Sequence, residues 1–224
     1  MMSKLAFSMI DSGCGTEISV VEAAAYCGRA LLDVAKNANI IEINRGQLRF
    51  YHQLMLEYFA AMELSRIGLS NRLERLSPEV DGGQRKNNQW DQVIITLCGV
   101  SEFPDEIIIA VEEKDAYLAA MCISSGIQVQ PTTIERTVNG LLDVIATRWA
   151  WLDFANCREA ACKALIDIGR PAVPFLRKFL GGDPRTEINL DTVKEILGFV
   201  VGAGAAAGVA LGAIYIVANF PPAI

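Results

Sequence analysis

Apolar positions recur with helical period along most of this chain and alternate clearly at one place only. Leu5 to Ile10 form a short apolar run that stops in the turn-rich Asp11-Ser12-Gly13-Cys14-Gly15. From Thr16 and Glu17 a longer helical pattern follows, with Val20, Val21, Ala24, Cys27, Leu31, Val34 and Ala35 recurring up to Lys36. Alternation then appears on both sides of Asn44-Arg45-Gly46-Gln47. Ile40 to Ile43 and Leu48 to Phe50 are therefore expected as the strands of a short hairpin. The segment Leu48 to Leu64 reads as an amphipathic helix leaving the second strand. Phe50, Leu54, Met55, Tyr58, Phe59 and Met62 lie on one stripe that should face inward.

Asn71 to Gln89 is polar and contains Pro78, Gly82 and Gly83, so a loop is expected there, with a short helix at 72–76. Helical patterns then return in succession: 90–98 with Val93, Ile94 and Leu97 on a face, 104–111, 116–124 and 133–152. The last pair is the clearest. Ala161, Cys162, Leu165 and Ile168 share a stripe in 158–168, Gly169 ends it, and Pro171 opens a helix to Leu180 with Phe175, Leu176, Phe179 and Leu180 inward. Such two-helix units cannot bury their apolar faces alone and must stack on neighbours. The alternative is an irregular helical bundle.

Ile196 to Phe220 carries no charge over 25 residues. At about 1.5 Å per residue a helix of this length could cross a hydrocarbon core of about 30 Å. Gly198/Gly202 and Gly204/Gly208/Gly212 fall at four-residue spacing, the small-residue pattern that lets membrane helices approach and self-associate. Arg177, Lys178, Arg185 and Lys194 all precede the segment, so the N-terminal body is expected on the cytoplasmic side. A small-residue helix packed within a helical array, or in an oligomeric bundle, is the other reading.

Composition narrows the chemistry. The chain has 224 residues, is 52% hydrophobic and carries a net charge of −6. Its six cysteines, at 14, 27, 98, 122, 157 and 162, include no Cys-x-x-Cys pair, and His52 is the single histidine, so zinc-ligand spacing is missing. Buried, reduced thiols are expected. Residues 1–12 hold no signal-peptide pattern. No Gly-Lys pair occurs, which excludes a phosphate-binding loop within this sequence. Glu112-Glu113, after the apolar run Ile107 to Val111, reads as a solvated end of a core helix rather than as a metal-holding pair. No nucleophile–base constellation can be read from spacing, so no catalysis and no cofactor are expected.

Phe50-x-His52 followed by Glu57-Tyr58-Phe59-Ala60-Ala61 resembles the signature that closes the winged-helix part of NACHT-type STAND NTPases. The segment 158–180, REAACKALIDIGRPAVPFLRKFL, resembles a HEAT-type repeat. The resemblance implies a winged-helix module over 1–66 with a short hairpin as its wing and HEAT-like helical repeats over 67–186; with the membrane-anchor helix and tail read from the uncharged segment over 187–224, a mainly α chain in three parts is expected. The resemblance further implies that His52 senses the phosphate of a bound nucleotide, provided a NACHT core is present in cis or in trans. The expected function is a non-catalytic regulatory fragment of a membrane-tethered signalling NTPase that works through protein contacts. The alternative is a free-standing, membrane-anchored HEAT-repeat scaffold with no nucleotide link. Nucleic acid is a poor partner for such a module. Its recognition-helix candidate, 22–36, offers only Arg29 and Lys36 against Glu22 and Asp33, and the wing adds only Arg45 and Arg49.

Overall fold

The computed structural model describes residues 1–13, 15–73, 80–81, 84–146 and 153–179. The chain forms two compact units: Met1–Arg72 with Asn87–Glu102, and Leu73–Lys86 with Phe103–Ile224. The described fold is mainly helical with a small three-stranded sheet.

In the first unit, α1 (Met2–Asp11) buries Met2, Leu5, Ala6, Met9 and Ile10 at i, i+3, i+4, i+7 and i+8. It packs along α4 (Gln53–Ile67), and α6 (Asp91–Val100) packs on α4 as well. Trp90, just before α6, packs against Phe7 of α1 with the rings tilted and their centroids 5.2 Å apart.

The single helix expected from 17 to 36 is three elements: β1 (Glu17–Ser19), α2 (Val20–Cys27) and α3 (Arg29–Asn37). Gly28, at φ 75°, breaks it, since an L side chain rarely adopts that backbone. The Ser19 hydroxyl caps α2 by accepting the Glu22 N–H at 3.1 Å. The burial also differs from the expected stripe: Ala23, Cys27, Leu32 and Ala35 face inward, whereas Val21 and Val34 are exposed.

The hairpin forms as β2 (Ile41–Asn44) and β3 (Gln47–Phe50), joined through Arg45 and Gly46, both with φ above +50°. Positive φ at both central residues is what a two-residue hairpin turn requires. β1 adds antiparallel to the far side of β3, giving the order β1-β3-β2 with Ile18 opposite Leu48 and Ile41 opposite Phe50.

The region expected as a loop with a short helix at 72–76 begins with α5 (Ser70–Leu73), and in the second unit it contains a short hairpin, β4 (Val80–Asp81) with β5 (Gln84–Arg85). The helices α7 (Pro104–Glu112), α8 (Ala116–Ser124), α9 (Pro131–Ala146) and α10 (Asp153–Ile168) pack on one another. A 3₁₀ turn at Arg170–Ala172 leads into α11 (Val173–Phe179), so Pro171 lies inside the turn rather than at the start of the helix. The core includes Ile108, Val111, Leu118, Cys122, Leu141, Ile145, Ala161 and Leu165.

Polar contacts fix the ends of these helices. Asp105 Oδ1 accepts the Gln130 N–H at 2.9 Å and the Thr133 hydroxyl at 2.5 Å, holding the start of α9 to the first turn of α7. Asp115 caps α8 through the Leu118 N–H and takes the Arg85 guanidinium from β5. The Tyr117 hydroxyl donates to the Cys157 carbonyl at 3.0 Å, and burial pushes its phenol up to about 12. Cys27, Cys98, Cys122 and Cys162 are buried and Cys157 is half-buried, none of them in a disulfide. Among the described residues no helix is long and apolar enough to cross a membrane; the uncharged segment 196–220 lies outside them.

Candidate functional site

The strand-to-helix junction at the end of β3 carries the residues that sequence reasoning singled out. The Tyr51 N–H donates to the Ile40 carbonyl at 2.9 Å, closing the strand pair. His52 remains extended, at φ −128° and ψ 140°, and its carbonyl accepts the Met55 N–H at 3.0 Å to begin α4. Its backbone thus serves as the N-cap while its side chain does not cap the helix. The imidazole is exposed and meets the Tyr51 ring edge-on at 4.9 Å. No hydrogen bond to this ring is found among the described residues.

Half of the stripe read as the inner face of α4 faces outward, while Phe50 is buried and Met55 and Phe59 are half-buried. Leu54, Tyr58 and Met62, at successive four-residue steps, are 68%, 44% and 43% exposed, and Tyr51 beside them is 56% exposed. The inner face is instead Leu56, Glu57, Ala60, Ala61, Glu63 and Leu64. Two adjacent alanines with no exposed surface suit a helix that other helices approach closely. The large side chains at 54, 58 and 62 are the ones left outside. Phe50 does point inward, with the half-buried Phe59 ring 5.9 Å away.

Two carboxylates enter this inner face and are treated differently. Glu63 accepts from Arg66 and, at 3.1 Å, from the Ser3 hydroxyl; Arg66 first and Ser3 with it hold its carboxyl below the usual range. Glu57 receives one hydrogen bond, from the Gln53 amide to Oε1 at 2.8 Å, and its Oε2 is buried with no partner. Burial raises its carboxyl above the usual 4.5, and the Gln53 contact offsets only part of this. In the sequence Glu57 stands out only as part of the signature with Tyr58 and Phe59, not as a buried acid. The available signal was Gln53 four residues earlier, together with Ala60 and Ala61 on the same side.

A cleft of about 230 Å³ opens on the sheet, lined by Glu17, Asn44, Arg45, Gln47, Leu48 and Arg49. His52 does not line it. Arg49 is bound to Glu42 at 2.8 Å, so one of the two wing arginines is already partly neutralised. Glu112 and Glu113, read as solvated, both bind Arg136 of α9, at 2.7 and 3.1 Å. Among the described residues, no cluster of His, Cys, Asp and Glu is arranged to hold a metal ion.

Comparison of the chain with protein-family models, with curated proteins and with solved structures gave no match in any of the three.

Proposed function

We propose that this chain is a non-catalytic regulatory and sensor element of a NACHT-type signalling NTPase that acts through protein contacts. The carrying observation is the outward apolar face of α4, where Leu54, Tyr58 and Met62 stand beside Tyr51 and the exposed His52. Contiguous exposed apolar surface rimmed by polar groups marks an interaction site, and Tyr is among the residues that dominate binding energy at such sites. A histidine with no contact holding it inward is placed to meet a group supplied from outside the module. In this reading α1 to α4 form the winged-helix module with β2–β3 as its wing. The pair α10 and α11 belongs to HEAT-like repeats, and 196–220 tethers the chain to a membrane.

The test uses the full chain and an ADP-loaded NACHT core supplied in trans, with binding and nucleotide release measured together. Leu54→Glu with Tyr58→Glu should weaken binding by about 100-fold, as loss of a central aromatic–aliphatic anchor does. His52→Ala should leave binding near wild type and change the rate of ADP release. If neither variant has an effect and binding maps to residues 90–186, the chain is a scaffold without a nucleotide link.

A further inference from the structure

Glu57 is a carboxylic acid placed where a charge is hard to keep. The residue is 5% exposed, Oε2 has no partner, and the one hydrogen bond to Oε1 comes from a neutral amide. Burying an ionised carboxylate without a cation or several donors is costly, whereas a neutral carboxyl costs far less.

The ionisable groups on the elements packed against α4 do not relieve it. On α1 these are Lys4 and Asp11, on α6 Asp91 and Cys98, and on β3 Arg49. Lys4 acts on Glu63, Arg49 is paired with Glu42, and Asp91 accepts the Asn88 N–H at 2.8 Å. On α4 itself Arg66 is committed to Glu63. Among the causes that move the Glu57 carboxyl there is burial and there is Gln53, and no charged group.

We propose that Glu57 is a proton-gated latch on the packing of α4 against α1 and α6. With the carboxyl neutral, Glu57 stays inside and α4 is held. With the carboxyl ionised, the inner face of α4 favours conformations that let the carboxylate reach water, and the packing loosens. Glu57 lies one helical turn from Leu54 and Ala61, so loosening there moves the helix that carries the outward apolar face.

The direction follows from linkage. A carboxyl held above its unfolded value stabilises the fold fully below about pH 4.5, and that stabilisation is lost as pH rises through the folded value. Each pH unit between the two values is worth up to about tenfold in the opening equilibrium.

The test is amide hydrogen exchange on the full chain from pH 5 to pH 8, corrected for the intrinsic rate. Peptides covering α1 and α4 should lose protection as pH rises, by up to about tenfold per unit over the titration. Peptides from α8 in the other unit serve as the internal reference. Glu57→Gln, which keeps the Gln53 contact and cannot ionise, should flatten the α1 and α4 profile. An unchanged slope in Glu57→Gln overturns the proposal. So does a flat profile in the wild type. Should Glu57→Gln not fold, the carbon-13 carboxyl shift of Glu57 in the wild-type chain decides. A midpoint clearly above 4.5 supports the latch, and one at or below that value refutes it.

Discussion

The Arg85–Asp115 pair in the second unit gives the sharpest stability test. The Arg85 side chain is 7% exposed and that of Asp115 is 0% exposed. Asp115 Oδ2 accepts from Nη2 at 2.6 Å and from Nε at 3.1 Å, while Oδ1 accepts the Leu118 N–H at 3.0 Å. One carboxylate therefore neutralises a buried guanidinium and caps α8. Asp115→Ala removes both functions. Loss of a cap costs about 1 kcal/mol, and removing one partner from a buried, hydrogen-bonded ion pair costs about 3–5 kcal/mol. The two losses share one residue and are not strictly additive, so the expected total is about 4 kcal/mol. Asp115→Asn keeps the cap and loses the charge, so it should cost about 1 kcal/mol less.

The double variant Arg85→Met/Asp115→Asn removes both charges and keeps the cap. It should lie within about 1 kcal/mol of wild type, because a buried pair replaced by neutral groups of similar size is often close to neutral. The assay is amide exchange in α8 of the full chain. A loss of about 4 kcal/mol appears as roughly a thousandfold faster exchange, since about 1.4 kcal/mol is a factor of ten. Two outcomes refute the reasoning. One is an Asp115→Ala variant whose α8 exchange rises less than about tenfold. The other is a double variant no more stable than Asp115→Asn.

Two further outcomes follow from other parts of the chain. A Cβ built on Gly140 would stand 2.8 Å from Glu112 Oε1, the end of a flexible side chain. Gly140→Ala should therefore displace Glu112 from Arg136, losing about 0–1 kcal/mol against a helix-propensity gain of about 1 kcal/mol. The net change in thermal or urea stability should stay within about 0.5 kcal/mol, and a loss above about 2 kcal/mol would show that Glu112 cannot move aside. For the proposed membrane tether, Val200→Asp with Val209→Asp should release the full chain from vesicles in a flotation assay, because an Asp at the middle of a span, as at 209, opposes insertion by about 2.5–3.5 kcal/mol. Undiminished flotation of the double variant removes the tether.

The parts of the fold that were legible in the sequence are those whose signals are local. The helix over 116–124 needs only its own apolar residues and the Asp115 cap. The β2–β3 hairpin needs only alternation around Arg45-Gly46. The misread parts depend on partners distant in sequence. β1 is three residues long and exists because Ile18 finds Leu48 across the sheet. α2 and α3 share a helical period across Gly28, and only the backbone at that residue separates them. On α4 the error was one of weighting: size was taken for burial. Beside Leu56 and Leu64 the inner face of α4 is small or acidic, and the signal of its acids was spread over Gln53, Ser3 and Arg66, which supply hydrogen bonds to Glu57 and Glu63. The position of His52 at the strand-to-helix junction was readable. The exposure of its ring was not, because exposure depends on how Tyr51 and the start of α4 are turned.

In the two proposals the same helix carries an outward face that binds and an inward face that titrates, and the two are not independent. Binding that favours one state of α4 must shift the proton equilibrium of Glu57 by the same factor as protonation shifts the binding, since coupling between two equilibria is reciprocal. A partner that recognises Leu54, Tyr58 and Met62 only when α4 is held against α1 and α6 would thus bind more tightly at lower pH. A partner indifferent to that packing would show no pH dependence from Glu57, however strongly it bound. Glu63 offers the contrast within one helix: its charge is met by Arg66 and Ser3, so its ionised form is compatible with the packed state. Of the two acids on the inner face of α4, it is Glu57, six residues earlier and lacking such partners, whose ionisation opposes the packing.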